Sequence, residues 1–284
     1  GDHIYKMDYG KMLAEHLANR AALTIGAVRI PAAHSRRFGI FQCDDSNRVI
    51  GFQEKPEKGA ELPGDPGYCL GSMGIYLFET AELVKRLSED AALGKESSHD
   101  FGNDVIPRMI KEVKVQAHHF RAVDDDGGQP YWRDVGTIDA YYEANLDLCS
   151  IKPSFNLYDE NWPIYTLWHN DPPAKTVFNE PDRKAEVVDS LICPGVVVSG
   201  AKVRHSILSN RVFVDEGAVV EGSIVMSGVR IGKNAQVRRA IIDKWTEIAD
   251  GEVIGHDPAR DRERFTVTDS GIVVVPRGAD VIRD

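Results

Sequence analysis

The chain has 284 residues, 42% of them hydrophobic and 27% charged, with 44 acidic against 34 basic side chains and a net charge of −10. This apolar fraction excludes general disorder, and the length predicts two domains. The acidic balance argues against a broad nucleic-acid interface, and no apolar run is long enough to span a membrane, so neither partner is expected. The four cysteines are far apart and form no CxxC pair, which favours free thiols in a reducing compartment such as the cytoplasm.

Hydrophobic periodicity in the first half of the chain predicts strands that alternate with helices. The predicted helices cover residues 8–20, 79–87, 102–112 and 137–149, and the predicted strands cover 23–30, 39–43, 49–53, 72–78 and 113–120. Residues 59–67 and 124–130 are predicted as loops. The expected buried stripes are Tyr9, Met12, Leu13, His16 and Leu17 in the first helix and Leu83, Val84 and Leu87 in the second. The alternation indicates an α/β layer architecture for residues 1–150.

The next segment, residues 151–190, contains several prolines and little periodicity, and we interpret it as a linker or docking segment. From residue 191 onward an aliphatic residue recurs at every fifth or sixth position. The series is Leu191, Val197, Val203, Leu208, Val214, Val220, Val225, Ile231, Val237, Ile242, Ile248 and Ile254, which makes a repeat of 17 residues. An all-β sandwich is the alternative, but this unbroken register is typical of a triangular parallel β-helix. We therefore predict a β-helix over residues 191–284.

Five clusters of polar and aromatic residues stand out, and most of them lie where a predicted strand or loop meets a helix, as ligand sites of α/β proteins do. They begin at Gly1, Phe52, Ser72, Ser97 and Tyr131. Structural roles are alternatives for each cluster. Asp2 and Asp134 could cap helices, Ser98 and Asp100 could cap the helix after Phe101, and the aromatic residues could pack in a core.

Together, these residue types suit phosphate chemistry on a sugar. Two isolated carboxylates, Asp2 and Asp134, are a usual means of holding Mg²⁺, and Lys55 can neutralise a phosphate as a point charge. Glu54, Ser72, Asp100 and an aromatic face suit sugar hydroxyls and ring C–H groups. A Ser-His-Asp hydrolase is disfavoured, because Ser98, His99 and Asp100 are contiguous and their side chains diverge.

The motifs GDHIYK, FGI, FQEKP, SMGIYLF, SSHDFG, YWRDVGT and NWPI occur in this order and precede the repeat. In this combination nearly the whole chain closely resembles bacterial glucose-1-phosphate adenylyltransferase (ADP-glucose pyrophosphorylase). The resemblance implies the C-terminal portion of a Rossmann-like nucleotidyltransferase domain followed by a left-handed parallel β-helix. It implies adenylyl transfer from ATP to α-D-glucose 1-phosphate, giving ADP-glucose and pyrophosphate in bacterial glycogen synthesis.

The resemblance also implies residue roles. Asp2, Lys55 and Asp134 match catalytic positions of the family, with Asp2 and Asp134 as Mg²⁺ ligands and Lys55 as the ligand of the sugar phosphate. The positions that match the glucose pocket are Gly39, Glu54, Ser72, Tyr76, Asp100, Phe101 and Trp132.

Regulation is expected as well, since family enzymes are tetramers controlled by metabolites. A homotetramer and allosteric effectors are therefore implied, and Lys244 and Arg277 match basic effector positions, with surface cations as the alternative. The family's glycine-rich loop for the ATP phosphates has no counterpart in this chain, which begins at Gly1 without an initiator Met. We therefore expect a fragment that lacks most of the ATP site and is inactive alone.

Other functions remain as alternatives. A related transferase that uses UTP, dTTP or GTP would differ in base-reading residues that this chain lacks. A non-catalytic regulatory or assembly subunit would use the β-helix as a platform, but should have lost Asp2, Lys55 and Asp134. A hexapeptide-repeat acyltransferase usually depends on a histidine between coils, and only His205 and His256 lie near the predicted coils.

Overall fold

The computed structural model of the protein describes residues 3–120, 131–167 and 169–279. The chain forms two compact units. One unit, Tyr5–Trp132, is called the sheet unit here, and the other, Gly1–Ile4 together with Arg133–Asp284, is called the repeat unit. No helix of the described ranges has the length and apolar character that a membrane crossing requires.

The sheet unit contains a mixed sheet with helices on both faces. From His3 to Asp134 the elements are β1 (His3–Tyr5), α1 (Tyr9–Asn19), β2 (Leu23–Pro31), β3 (Gly39–Cys43), β4 (Val49–Glu54), β5 (Glu61–Leu62), β6 (Asp65–Phe78), α2 (Thr80–Ala91), α3 (Ile106–Glu112), β7 (Val115–His119) and β8 (Trp132–Asp134), with 3₁₀ turns at Ala32–Arg37 and Gly94–Glu96 and a π-helical turn at Phe101–Val105. The strand order is β4-β3-β6-β2-β7, and β5 pairs with β6. Only β2 and β7 are parallel among these pairs of the described sheet.

Alternating side chains of β2 fill two separate cores. Leu23 and Ile25 pack with Met109 of α3 on one face, and Val28 and Ile30 pack in the cluster that contains Met12 of α1 on the other face. This alternation is the expected result for a strand covered on both sides. The predicted α/β layering of the first half is therefore confirmed, and it fixes the strand ends on which the candidate site is built.

Both predicted helix stripes differ from the buried faces. In α1, Met12 and His16 are buried, whereas Tyr9, Leu13 and Leu17 are exposed. In α2, Val84 and Leu87 are exposed, and the side chains that turn inward are the charged residues Arg86 and Asp90. The prediction of an apolar inner face was wrong because Arg86 and Asp90 have ionic and hydrogen-bond partners from later parts of the chain, such as Glu112 and His99.

A predicted loop also differs. Residues 59–67 contain β5, and β6 begins at Asp65, well before the predicted strand start at Ser72. The predicted loop at 124–130 lies outside the described residues.

The described part of the repeat unit contains two helices and a long series of short strands. Its elements are α4 (Ile138–Asp147), β9 (Lys175–Val177), β10 (Asn179–Glu180), β11 (Arg183–Lys184), β12 (Glu186–Val188), β13 (Leu191–Ile192), β14 (Val197–Ser199), β15 (Lys202–Arg204), β16 (Ile207–Leu208), β17 (Phe213–Val214), β18 (Val219–Glu221), β19 (Ile224–Val225), β20 (Arg230–Ile231), β21 (Gln236–Arg238), β22 (Ala240–Ile242), β23 (Glu247–Ile248), β24 (Val253–Ile254), α5 (Pro258–Arg264), β25 (Thr266–Val267) and β26 (Val273–Val275). Residues 151–190, the segment predicted as a linker, contain β9, β10, β11 and β12.

Three parallel sheets run along the coils, as a β-helix requires. Their strand orders are β9-β14-β17-β20-β23, β12-β15-β18-β21-β24 and β13-β16-β19-β22-β26, the last extended by β25 in antiparallel pairing. Each coil contributes one strand to each sheet. Val214, Val220 and Val225 of one coil are fully buried in the common core. The predicted parallel β-helix is confirmed by this pairing.

The step that ends at β16 is one residue shorter than the step that follows it, and the predicted series slips there. The buried serine Ser223 bonds to Ser206 at a spacing of 17 residues, whereas Ser206 bonds to Ser190 at a spacing of 16. Consequently Val198, rather than the predicted Val197, is fully buried in the core. Leu191 packs outside the core, near α4.

α4 packs against the outer surface of one β-helix sheet. Tyr142 and Leu146 contact the column Ile207, Ile224 and Ile241, which are the middle residues of the repeated triplets. The Tyr142 hydroxyl donates a hydrogen bond of 2.5 Å to the Gly222 carbonyl. The helix begins after Thr137, whose Oγ1 accepts from the Ala140 amide (3.2 Å). By its packing, α4 therefore belongs with the repeat.

Candidate functional site

The first part of the candidate site lies where β3 begins and β4 ends. Gly39 is paired with Glu54 across these antiparallel strands. Lys55 follows with a positive φ of 42°, a conformation that costs a residue with a Cβ about 1 kcal/mol. Its amide donates to the Phe38 carbonyl (3.1 Å), and its Nζ lies 3.5 Å from Glu54 Oε1. The Lys55 side chain is 63% exposed, so a carboxylate and an accessible ammonium stand side by side.

Two glycines leave space for the Glu54 carboxylate. A Cβ on Gly102 would lie 2.5 Å from Glu54 Oε2 and 3.2 Å from Asp100 Oδ1. A Cβ on Gly39 would overlap the Phe52 ring and lie 3.1 Å from Glu54 Oε2. The structure therefore brings Glu54 and Asp100 to one place, although they are far apart in sequence.

Ser72 and Tyr76 enter the same cluster from β6. Burial raises the pKa of Tyr76, a hydrogen bond with Ser72 opposes this shift, and the charges of Glu54 and Asp100 reinforce it. The phenol therefore stays protonated at neutral pH. Ser72 Oγ also accepts from the Gly74 amide (3.2 Å), which fixes the hydroxyl at the bend of β6.

Aromatic rings flank the polar cluster. Phe101 is stacked on Tyr76, with ring centroids 5.7 Å apart, and it also contacts Phe78 at 5.8 Å. Trp132 packs against Phe38 with centroids 5.4 Å apart and planes inclined at 57°. Because Phe38 directly precedes Gly39, Trp132 lies beside the beginning of β3. All the residues predicted for the glucose pocket are thus parts of the sheet unit.

The loop that carries Asp100 is held by a dense set of hydrogen bonds. Asp100 caps the turn that follows it, since its Oδ1 accepts from the Asn103 amide (2.8 Å), as predicted. Ser98 does not cap that turn but donates through Oγ to Asp104 Oδ2 (2.5 Å). The Ser98 hydrogen bond is the main cause that lowers the pKa of Asp104. Asp90 binds the same loop from α2, and His99 has a positive φ of 57°.

Only one of the two predicted metal ligands belongs to the described residues, because Asp2 is outside them. Asp134, in the repeat unit, is half-buried and accepts a hydrogen bond from the Gly136 amide (3.1 Å). Asp134 does not cap α4, since the cap of that helix is Thr137. Across residues 3–120, 131–167 and 169–279, no three His, Cys, Asp or Glu side chains are grouped as metal ligands. A hard carboxylate oxygen nevertheless suits Mg²⁺, which commonly takes one or two protein carboxylates and completes its shell with phosphates and water.

The two predicted effector residues lie close together in the repeat unit. The Asp243 carboxylate accepts from the Lys244 amide through Oδ1 (2.7 Å) and from the Arg277 amide through Oδ2 (3.3 Å). Both cationic side chains are exposed. Asp243 therefore joins two segments of the chain that each carry a basic residue.

Sequence reasoning missed Asp90, Gly102 and Asp104 as parts of the site. Gly102 and Asp104 lie in or next to the motif SSHDFG, and Gly102 could have been noticed as a possible point of close approach. Asp90 gave no signal, because it lies in a helix and its partners Ser97 and His99 follow in a separate loop.

The arrangement suits a phosphorylated sugar. Glu54 and Asp100 can accept hydrogen bonds from hydroxyl groups, Ser72 can donate or accept, and Lys55 can offset the charge of a phosphate. The Tyr76–Phe101 pair offers an apolar surface for ring C–H groups.

Two family models match the chain. A model described as nucleotidyl transferase matches residues 1–151, and one described as GlmU-like, C-terminal hexapeptide, matches residues 172–275. Together with the described sheets, these matches confirm the predicted fold class, a Rossmann-like nucleotidyltransferase portion followed by a left-handed parallel β-helix.

Curated relatives match almost the whole chain. It is 47% identical over 277 residues to the glucose-1-phosphate adenylyltransferase of Dechloromonas aromatica, with 97% of this chain and 63% of that protein covered. The corresponding enzymes of Nitrosomonas europaea and Methylobacillus flagellatus are 45% and 46% identical, with 97% of this chain and 64% and 65% of those proteins covered. The chain thus spans less than two thirds of the length of these relatives. Because the nucleotidyl transferase model covers more than half of its residues, the chain belongs to the nucleotidyl transferase family.

Proposed function

We propose that this chain supplies the sugar-phosphate side of a glucose-1-phosphate adenylyltransferase. The enzyme transfers the adenylyl group of ATP to α-D-glucose 1-phosphate and releases pyrophosphate. The observation that carries this proposal is the convergence of Glu54 and Lys55 with Asp100 beside stacked aromatic rings. The identity of 45–47% to proteins that bear this name supports the choice of reaction.

In this proposal, each residue of the cluster contributes to substrate binding. Lys55 contacts the phosphate of glucose 1-phosphate, while Glu54 and Asp100 accept hydrogen bonds from glucose hydroxyls. Ser72 and the protonated phenol of Tyr76 add further polar contacts, and Phe101 and Trp132 cover the apolar parts of the sugar ring. Gly39 has no side chain, and this leaves space beside the Glu54 carboxylate for the sugar.

The reaction needs positioning and charge compensation more than a protein nucleophile. A phosphate oxygen of glucose 1-phosphate attacks the α-phosphorus of ATP, and the bond from that phosphorus to the pyrophosphate oxygen breaks. Lys55 orients the attacking phosphate and offsets part of its charge. Repulsion between the two anionic substrates is thereby reduced without any covalent intermediate on the protein.

Mg²⁺ is proposed as the cofactor, with Asp2 and Asp134 as its carboxylate ligands. The donor type of Asp134 suits this ion, and its hydrogen bond with Gly136 fixes one carboxylate oxygen. When bound, the ion supplies positive charge that stabilises the phosphates in the transition state. In the complete enzyme, Asp134→Asn should therefore lower turnover by about two orders of magnitude or more, and near-normal turnover would remove Asp134 from the metal site.

The wider context is proposed on the same basis. The enzyme acts in the cytoplasm in glycogen synthesis, as a homotetramer, and metabolite effectors bind near Lys244 and Arg277. Two observations support this context. The four cysteines are free thiols, as expected in a reducing compartment, and Asp243 brings the two basic segments together.

The test has two parts. Calorimetry on this chain should detect binding of glucose 1-phosphate, and Lys55→Ala should weaken it. The protein as its source makes it should form ADP-glucose from ATP and glucose 1-phosphate, and chelation of Mg²⁺ with EDTA should abolish product. A panel of UTP, dTTP and GTP serves as the comparison.

Either alternative has its own outcome. A uridylyl, thymidylyl or guanylyl product without ADP-glucose would assign another nucleotide. No sugar-phosphate binding and no product would instead favour the non-catalytic assembly subunit, for which the β-helix is the platform.

A further inference from the structure

A residue of α2 anchors the loop that carries Asp100 and Phe101. Asp90 lies in the last turn of that helix, and its side chain is only 6% exposed. Asp90 Oδ1 accepts a hydrogen bond from Ser97 Oγ, and Oδ2 accepts one from His99 Nδ1, both at 2.7 Å. An Arg108 nitrogen lies 3.4 Å from Oδ1. One buried carboxylate on α2 therefore binds Ser97 and His99, the two ends of the segment that precedes Asp100. It also lies close to Arg108 of α3.

The segment that Asp90 holds is strained. His99 has a φ of 57°, and a left-handed residue with a Cβ persists only where its surroundings fix it. The fixing contacts are the bond from the His99 ring to Asp90 and the bond of 3.0 Å from the His99 amide to Ser97 Oγ. Because Asp90 also holds Ser97, it controls both contacts. The direction in which the chain leaves His99 determines where Asp100 and Phe101 lie.

Asp104 acts differently on the same loop. Its Oδ2 accepts from the amides of Ser98 (3.1 Å) and Asp100 (3.2 Å), and its Oδ1 lies 3.9 Å from an Arg108 nitrogen of α3. Those contacts fold the loop on itself and toward α3, but none of them reaches α2. Attachment to α2 comes through Asp90.

We infer that Asp90 is a positioning residue of the sugar-phosphate site. It holds His99 in the left-handed conformation that directs Asp100 toward Glu54 and places Phe101 against Tyr76. The inference rests on the proposed function, since its effect is measured through glucose 1-phosphate. The role requires a carboxylate because both partners are donors. An amide would accept from only one of them and present an NH₂ group to the other.

The test compares Asp90→Asn with Glu89→Gln, a matched change on the same turn of α2. Glu89 pairs with Arg86 and Lys85 rather than with the loop. Three quantities are measured on the 284-residue chain: hydrogen exchange of the amides of residues 98–101, the Kd for glucose 1-phosphate, and the free energy of unfolding. For Asp90→Asn we expect at least ten-fold faster exchange and a Kd raised by about ten-fold, because small displacements of binding groups are costly. Glu89→Gln should leave both unchanged.

A second variant separates positioning from a general loss of stability. His99→Asn keeps a residue that tolerates a left-handed backbone but removes the imidazole bond to Asp90. It should raise the Kd in the same direction, and Asp90→Asn added to it should have less than its effect alone. This variant also decides the question if Asp90→Asn does not fold.

The outcomes are distinct. Unchanged exchange in Asp90→Asn overturns the anchoring role, and faster exchange with an unchanged Kd overturns the role in the sugar site. Additive effects of the two variants also count against Asp90 acting through His99. If the unaltered chain does not bind glucose 1-phosphate, the proposed function fails first, and Asp90 loses its sugar-site role with it.

Discussion

The ring of Phe101 lies against the ring of Tyr76 with centroids 5.7 Å apart and planes inclined at 25°. The two residues come from different parts of the chain, one from the turn after the Asp90-anchored loop and the other from β6. Their contact therefore joins the loop that carries Asp100 to a strand of the sheet. A pair of this kind contributes about 0.5–1.5 kcal/mol beyond simple burial, so it links the stability of the sheet unit to the shape of the candidate site.

Phe101→Leu should therefore affect both stability and binding. We expect the free energy of unfolding to fall by about 1 kcal/mol and the Kd for glucose 1-phosphate to rise, since the stacked surface is lost. Denaturant titration and calorimetry measure the two effects. Phe78→Leu is the control, because Phe78 also contacts Phe101 but was not placed in the site. Equal changes in Kd for both variants would contradict a direct role of the Phe101 ring.

Lys55→Ala should weaken phosphate recognition selectively. The ammonium is 63% exposed beside Glu54, so its removal leaves the fold intact while the phosphate loses its counter-charge. In the complete enzyme, the apparent KM for glucose 1-phosphate should rise at least ten-fold, whereas the KM for ATP should change little. Lys58→Ala, a change of the same type nearby, should leave both unchanged. Equal effects of Lys55→Ala on the two substrates would argue against the assigned partner.

Gly102→Ala should damage the site with little damage to the fold. The new Cβ would lie 2.5 Å from Glu54 Oε2, and the flexible end of that side chain can move away. We expect the Kd for glucose 1-phosphate to rise while the free energy of unfolding changes by less than about 1 kcal/mol. A normal Kd would show that the position of Glu54 seen here does not matter for binding.

Ser223→Ala should destabilise the β-helix. Ser223 is fully buried, and its Oγ accepts from the Ala240 amide (3.1 Å) and donates to the Glu221 carbonyl (2.8 Å). Its loss leaves buried backbone groups without their partner, at a cost of about 1–3 kcal/mol in the free energy of unfolding. Ser227→Ala, at a half-buried corner of the same coil, should cost much less. A similar cost for the two variants would contradict the role of the buried serine ladder.

Cys43 should react slowly with thiol reagents near neutral pH. Burial, with a smaller contribution from Asp44, raises the pKa of the Cys43 thiol to about 11, so the reactive thiolate is scarce at pH 8. Labelling rates should increase steeply as the pH approaches 11. The same shift makes the free energy of unfolding depend on pH. The contribution of Cys43 to stability is fully present below the ordinary pKa of 9.0 and is lost as the pH rises from 9.0 through about 11. Labelling of the urea-unfolded chain is the control, and equal rates in both states would refute the shift.

The β-helix could be predicted from the sequence because the same spacing of aliphatic residues recurs in several successive coils. Strands β3 and β4 were also predicted, since hairpins are set by local alternation and turn residues. The start of the repeat could not be placed correctly, because a step that is one residue shorter leaves no local mark and shifts Val197 out of phase with the later coils. Extrapolation of a period fails wherever a single residue is missing.

The sequence predicted only those residues of the candidate site that belong to one of the motifs. Glu54, Tyr76 and Asp100 could be named from their motifs, and the structure brings them together. The inner face of α2 could not be predicted from composition, because Arg86 and Asp90 are buried only by virtue of partners that later residues supply. Charged residues on a helix are normally expected in solvent, and this expectation concealed the residue that anchors the site loop.

The path of α5 shows where the β-helix accepts additional chain. Ile224 pairs with Ile241 one coil later, but Ile241 pairs with Val274 only after the chain has left through α5 and returned through β25. Pairing between neighbouring coils is undisturbed, because each ladder depends only on the two segments that form it. A foreign peptide inserted at α5 would thus lie outside the coils, next to the coil from which α5 leaves the repeat. The same peptide placed inside a two-residue strand such as β19 would turn Val225 out of the interior.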